Sequence, residues 1–490
     1  MEALGFSPLD FYYILPELLI TGGALLVLVV NVIMPQRQSA LLAISLLTLL
    51  AGGVALLSLS GVDATASQGL LAIDGFALFF KVIFLVSAAL TILMSVKYLQ
   101  VEDVRAGEYY FLILCATLGM MFMASGVDLI TLFIGLETMA ISFYILAGYL
   151  KPSQRSNEAS VKYFLLGAFS LGILLYGMSI LYGVTGSTNL GDISAALIAQ
   201  DRSVALLLAV ILLATGMGFK IAAVPFHMWA PDVYEGAPTP VTAFLSVGSK
   251  AASFAMLFRI FFEGLPALTP DWQVVFSVLA VVTMTVGNVA AITQTNIKRM
   301  LAYSSIAHAG YVLIGFIAAS PRGVTAALVY LGVYLFMQLG AFAVITMLRR
   351  RDVVGDELKD LSGLYTRAPV AAIAMLLFML SLGGIPPTAG FMGKFWIFGA
   401  AVETGWVWLA VVGVLNSAIS LYYYIRVVVF MWIKEEVVGS DLSIQPAMAV
   451  TLIVAAVGTV LFGIYPQPLF EQAQAVTGTF TAVVGSISLR

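Results

Sequence analysis

Gly216 to Pro240 reads GMGFKIAAVPFHMWAPDVYEGAPTP, a lysine set in an apolar run that is then broken by Pro225, Pro231, Pro238 and Pro240. A charge in hydrocarbon costs at least ~3 kcal/mol even on lenient insertion scales. Proline removes helix hydrogen bonds that lipid cannot replace, so the freed backbone must be buried in protein or line a wet cavity. The stretch therefore predicts an ion path through a membrane, with Lys220 on it.

Outward from this stretch, 61% of the chain is hydrophobic and 10% charged, with a mean hydropathy of +1.03. A soluble domain carries roughly 25% charged residues. The fold class is thus an all-α polytopic membrane protein. At about 20 residues per span, the 490 residues hold over a dozen helices and leave no room for a separate soluble domain. A formal charge of −3 argues against nucleic acid as a partner. The single cysteine, Cys115, lies in the apolar run FLILCATLGM, which closes the haem-thiolate and iron–sulfur readings and any internal disulfide. MEALGFSPLDFYY carries acids and no basic region ahead of the first apolar run, so a first span is expected there rather than a cleaved signal.

Apolar runs of about 18 to 25 residues predict fourteen spans, near 12–34, 40–60, 74–98, 109–125, 128–150, 159–184, 204–225, 239–262, 273–295, 299–318, 324–348, 369–398, 404–432 and 446–465. The seventh and twelfth contain Pro/Gly breaks. Basic residues set the orientation. Arg37, Lys97, Arg105, Lys151, Arg155, Lys162, Lys298, Arg299, Arg349, Arg350, Arg351, Lys359, Arg367, Arg426 and Lys434 follow or flank odd-numbered spans, against Arg202, Arg259, Arg322 and Arg490 on the other side. The positive-inside rule then places odd-span exits in the cytoplasm and both termini outside.

SNEASVKYFLLGAFSLGI from Ser156 faintly echoes TNIKRMLAYSSIAHAGYV from Thr295, and LSLGGIPPTAGFMGKFW, Leu380 to Trp396, repeats the combination of Gly, Pro and lysine five spans after the first break. A five-helix unit has an odd number of spans, so consecutive copies insert upside-down. The expected organisation is one membrane domain: three N-terminal spans (1–108), inverted repeats of spans 4–8 (109–262) and 9–13 (273–432), then a last span and tail (446–490).

Lys250 lies twelve residues from both Pro238 and Phe262, ~18 Å from each end of its helix at ~1.5 Å per residue. Glu137 and His308 are also mid-depth, and a break at Pro386 and Pro387 would return Lys394 to the same level. These groups read as a lateral row of protonatable sites, in which a Glu–Lys pair gates and a buried histidine relays. Plainer readings accompany each residue. Glu137 and Lys220 could be a static interhelix pair, Lys250 and Lys394 snorkelling or lipid-binding lysines, and His308 a packing histidine held by Tyr or Ser neighbours. His227 could cap the broken helix or lead protons in. Lys162, four residues past Glu158, and Lys81, seven past Asp74, suit interfacial pairing equally well. Asp128 and Glu17 read as interfacial, and LYYYIRVVVFMW (Leu421 to Trp432) as an aromatic belt.

GLE in the fifth span, FK-x-AA-x-PFH-x-W-x-PD-x-YEGAPTPV, SVGSK in the eighth, KRMLAYSSIAHAGY and GIPPTAGFMGKF together resemble the proton-translocating, antiporter-like subunits of respiratory complex I and their relatives in cation/proton antiporter complexes. The resemblance runs from about the third span to the fourteenth. It implies Glu137 and Lys220 as a coupling pair, Lys250 and His308 as a relay, and Lys394 as the exit-side lysine of a second half-channel. It also implies proton pumping driven by NADH oxidation and quinone reduction elsewhere, no cofactor in this chain, and FMN, iron–sulfur clusters and quinone in other subunits. Expected partners are the membrane and peripheral subunits of complex I, neighbouring antiporter-like subunits included, in a bacterial inner membrane. The same motifs fit a module exchanging Na⁺ or K⁺ for protons, and a scaffold subunit would share the span pattern.

Overall fold

A computed structural model describes residues 7–198, 200–350, 355–434 and 444–480. Arg351 and Arg490, counted above for orientation, and the tail beyond Phe480 lie outside the described residues. Among these residues twelve helices are long and apolar enough to cross a membrane.

The short α1 (Pro8–Tyr13) leads into α2 (Leu15–Ile33), and α3 (Gln38–Ser58) returns. A two-stranded hairpin, β1 (Ala64–Ala66) with β2 (Leu71–Ile73), precedes α4 (Gly75–Val101). Next come the antiparallel α5 (Gly107–Ser125) and α6 (Leu129–Ala147), then α7 (Gln154–Thr185) and the short α8 (Leu190–Ile198). The expected seventh span is two pieces, α9 (Val204–Lys220) and α10 (Trp229–Gly236), so its helix ends at Lys220, short of residue 225. The eighth is continuous over Thr239–Gly264 but irregular: α11 (Thr239–Phe244), a π-turn over Leu245–Ser249, α12 (Lys250–Phe258), and a second π-turn over Arg259–Gly264. Long helices α13 (Thr269–Thr293), α14 (Ile297–Ile317) and α15 (Pro321–Leu348) follow, then the one-turn α16 (Leu364–Arg367). The expected twelfth span is again two helices, α17 (Pro369–Gly383) and α18 (Ala389–Glu403). Helices α19 (Val407–Trp432), α20 (Pro446–Ile464) and α21 (Gln467–Phe480) complete the chain.

Local chemistry sets these boundaries. Asp74, Asp128, Ser153, Ser203, Asn296 and Ser320 each accept a backbone N–H of the first turn that follows, which satisfies donors that lipid would leave bare. Gly384 ends α17 in the left-handed region at φ 82°, where a Cβ is strained. Gly119 and Gly135 let α5 and α6 touch backbone to backbone, since a Cβ on Gly119 would run into the Gly135 carbonyl and the Met139 amide.

Helices apolar on every side take the centre of a bundle. The most apolar stretch of Thr239–Gly264 is wholly buried and those of α14 and α15 are 94% so, whereas those of α2, α3, α7 and α19 hold a third or slightly more of their residues inside. The centre thus comprises the π-interrupted helix, α14 and α15.

One charged anchor pins the end of that central helix. Arg259 donates to the Asp74 carboxylate at 2.8 Å, to Glu263, and through Nε to the Ala124 carbonyl at 3.1 Å, with its side chain 1% exposed. Breaking a buried ion cluster by removing one partner strands the others, at about 3 kcal/mol or more. We expect Arg259→Met to lower the recovery and apparent Tm of the assembled complex, with Arg259→Lys failing to restore them because one ammonium cannot span three acceptors.

Candidate functional site

The first break exposes the end of a helix and fixes it. Past Lys220 the chain turns through Ala222, at φ 59°, and the Ala223 amide returns to the Gly218 carbonyl at 2.7 Å. The Trp229 indole donates to the Phe219 carbonyl at 2.9 Å, and the Val224 amide to Thr283 Oγ1 on α13 at 2.9 Å. These bonds occupy backbone groups that the interrupted helix leaves free. Lys220, the last residue of α9, is buried, and its Nζ has no hydrogen-bond partner among the described residues.

Glu137 stands at the middle of α6 with Oε1 buried and likewise unpartnered. No ion pair joins it to Lys220 within 4.0 Å, so the couple is open. Tyr144, two turns along α6 from Glu137, lies beside the amine, with Lys220 Nζ 5.9 Å from its ring centroid, at the outer reach of a cation–π contact.

Lys250 begins α12 directly after the first π-turn. Such turns re-aim a side chain and recur at functional sites. Its amine donates to both the carbonyl and the hydroxyl of Ser305 on α14. The adjacent Ser304 shares a hydrogen bond with Tyr424 of α19, whose hydroxyl is 2.9 Å from His308 Nε2. On its far side, His308 Nδ1 bonds the Tyr330 hydroxyl of α15. Positions 304, 305 and 308 share one face of α14 by the i, i+3, i+4 rule. A neutral imidazole between two hydroxyls accepts at one nitrogen and donates from the other, so it can pass a proton by exchanging tautomers.

The second break brings Lys394 back to this level. Its Nζ donates to the Leu382 and Gly383 carbonyls at 3.0 and 3.1 Å and to Ser417 Oγ at 2.8 Å. The ammonium thereby caps the end of α17, where the helix dipole favours positive charge. It also lies 4.9 Å over the Tyr311 ring, whose centroid is 5.6 Å from that of His308. Five expected residues thus fall on five helices, α6, α9, α12, α14 and α18: an open Glu137/Lys220 couple, then Lys250 on Ser305, His308 between Tyr424 and Tyr330, and Lys394 over the Tyr311 ring that packs against His308.

Two expected residues lie elsewhere. Lys162 bonds Glu158 at 2.7 Å and Asp232 at 2.8 Å, and Asp232 accepts from Arg299 at 2.7 Å, an interfacial network binding α7, α10 and α14. Burial raises the Asp232 carboxyl pKa, but hydrogen bonds from Lys162 and Arg299 outweigh it and hold the group below its ordinary range. This support is present at neutral pH and fades as the pH falls through that lowered value. His227 sits in the break with its ring 6.5 Å from Tyr303; among the described residues no hydrogen bond ties it to Ser305 or His308.

Other expectations change. Glu17, in the first turn of α2, is turned into the protein rather than toward solvent: its side chain is 4% exposed and pairs with Lys81 at 2.7 Å. Asp74, seven residues before Lys81, instead caps α4 and binds Arg259. The expected aromatic belt is divided, since Tyr422 is 60% exposed while Tyr423 and Tyr424 are buried. A helix can turn only part of a tyrosine triplet inward, and Tyr424 joins the row that sequence reasoning left it out of. Ser304 and Ser305 were equally overlooked, although their spacing from His308 was a readable sign. Among the described residues no three His, Cys, Asp or Glu gather as metal ligands.

The model of the family described as NADH:quinone oxidoreductase/Mrp antiporter, TM, matches residues 125–420. NADH-quinone oxidoreductase subunit N of Trichlorobacter lovleyi is 47% identical over 474 residues, covering 96% of this chain and 97% of that protein. A chain of respiratory complex I from Thermus thermophilus, solved with bound aureothin, superposes with a TM-score of 0.80 at 32% identity, over 93% of this chain and 98% of its own. A chain of the Mrp complex from Dietzia sp. shares the fold at a TM-score of 0.84 and 22% identity, over 98% of this chain and all of its own.

Proposed function

This chain belongs to the NADH:quinone oxidoreductase/Mrp antiporter transmembrane family, and on that premise we propose that it is the antiporter-like membrane-arm subunit of an NADH–quinone oxidoreductase, moving protons along Lys220, Lys250, His308 and Lys394. The observation that carries the reading is the set of exchangeable groups along one face of α14: Lys250 on Ser305, the adjacent Ser304 on Tyr424, and Tyr424 and Tyr330 on the two nitrogens of His308. The open Glu137/Lys220 couple is its switch. Charge arriving from a neighbouring subunit closes or widens the gap, which changes how firmly a buried amine holds its proton, and occupancy then shifts along the row.

Within this reading, FMN, iron–sulfur and quinone chemistry belongs to partner membrane and peripheral subunits, and the chain sits in a bacterial inner membrane with both termini outside. Residues 109–262 and 273–432 are taken as inverted halves, flanked by three spans over 1–108 and a last span and tail over 446–490. Gly119 and Gly135 join α5 to α6 as Gly287 and Gly310 join α13 to α14, which supports the pairing. The halves are not exact copies: Lys220 precedes its break and Lys394 follows its own.

The test is ion dependence in the reconstituted complex. NADH addition should drive proton movement across the vesicle membrane at rates indifferent to exchanging Na⁺ for K⁺ or choline. Exchange of Na⁺ or K⁺ for protons without NADH, in a preparation lacking flavoprotein and iron–sulfur partners, would instead favour the antiporter reading.

A further inference from the structure

Among the described residues five lysines are buried: Lys81, Lys220, Lys250, Lys298 and Lys394. Three are tied by hydrogen bonds, Lys250 to Ser305, Lys298 to the Glu235 and Ala237 carbonyls at 2.7 Å each, and Lys394 to two carbonyls and Ser417. The amines of Lys81 and Lys220 make no hydrogen bond among the described residues. Each belongs with a glutamate in the same condition: Oε1 of Glu137 and both carboxylate oxygens of Glu17 are also buried without a hydrogen bond. The couples differ in state. Glu137 and Lys220 stand apart, whereas Lys81 Nζ lies 2.7 Å from Glu17 Oε1, a bare ion pair with side chains 0% and 4% exposed.

Two ions taken out of water need further hydrogen bonds to offset their desolvation. Arg259 has them, in Asp74, Glu263 and the Ala124 carbonyl. Among the described residues Glu17 and Lys81 have none beyond their own contact, so that contact is a poor permanent staple. Its setting suits a moving part. Glu17 lies in the first turn of α2 and Lys81 in the second turn of α4, in a region before the matched residues 125–420 that hold the other couple. Helix α4 packs against α11 and α12, and α12 begins at Lys250.

We propose that Glu17 and Lys81 form a second switchable charge couple, which opens when Glu17 takes up a proton from the aqueous phase at the N-terminal end of α2. The proton bonds to a carboxylate oxygen, Glu17 passes from −1 to neutral, and Lys81 keeps its proton and its charge. The positive charge released on α4 then acts on the helix that begins at Lys250. This proposal rests on the proton-translocation reading.

Four variants of the whole complex test it: Glu17→Gln, Lys81→Met, the neutral pair Glu17→Gln/Lys81→Met, and the swapped pair Glu17→Lys/Lys81→Glu. Assembly is read from thermal unfolding, and protons moved per NADH oxidised from reconstituted vesicles. Assembled variants should pump roughly tenfold less, with neither the neutral nor the swapped pair recovering, because a pair that works by taking up a proton needs a carboxylate at position 17. Assembled neutral and swapped pairs that pump as well as the unaltered complex would mark a static staple and overturn the proposal. Should the double variants not assemble, the shape-preserving Glu17→Gln decides. The infrared band of a protonated carboxyl that appears on turnover must weaken in it, and an unchanged band overturns the proposal. Lys220→Ala is the control. Full pumping there removes the proton-path reading itself, whereas loss there beside full pumping in the neutral pair removes the Glu17/Lys81 couple alone.

Discussion

Lys220→Ala should assemble normally and lose proton pumping and quinone-linked NADH oxidation together. Assembly is expected to survive because the amine makes no hydrogen bond that its loss would break, and removing an unpartnered buried charge relieves a desolvation cost. The contrast with Arg259→Met is internal to the molecule: one charge is cross-tied and the other is not. Function should fail because Glu137 would face no amine, leaving the switch without its second half. Positioned proton carriers contribute on the order of 10² to 10⁴ in rate, so a fall of at least about tenfold in both activities is expected. Proton movement in vesicles, measured alongside NADH oxidation in the same preparation, checks it. A stably assembled variant that pumps fully would sink the role given to this couple.

Tyr424→Phe is expected to have the next largest effect for the smallest change of shape. It removes one oxygen, which bridges Ser304 to His308 Nε2. The ring is 1% exposed, so phenylalanine fills the same space, while the hydroxyl and the imidazole nitrogen each lose a partner, at ~1–3 kcal/mol for a stranded buried group. Pumping should fall severalfold with the thermal transition shifted only a few degrees. Tyr422→Phe, on the exposed side of the same triplet, should change neither. Equal pumping in the two variants would mean that protons do not pass Tyr424.

Much of the site was legible because charge in an apolar chain is conspicuous. Glu137, Lys220, Lys250, His308 and Lys394 stand out against their surroundings, and the Pro and Gly clusters beside Lys220 and Lys394 mark the breaks. Depth followed from helix rise alone. What escaped were the hydroxyl groups. Serine and tyrosine are ordinary in membrane helices, and nothing in LYYYIRVVVFMW tells which of three tyrosines a bundle turns inward. Pairing escaped for a related reason. Asp74 is the acid nearest Lys81 along the chain, but the partner of Lys81 is Glu17, sixty-four positions away and brought beside it by packing.

By itself the sequence determined that this is a helical membrane protein, roughly where its helices run, where two are interrupted, and which side chains carry charge at mid-depth. Those properties depend on local composition and a fixed rise per residue. Only the tertiary structure decided that the Thr239–Gly264 segment, α14 and α15 form the interior while α2, α3, α7 and α19 face outward. Lipid and protein core are equally apolar, so a helix buried among helices and one facing acyl chains are written in the same residues. The same physics left open whether a glutamate and a lysine on different helices touch. Glu17 and Lys81 do and Glu137 and Lys220 do not, a difference set by a few ångströms of packing that neither spacing nor composition encodes.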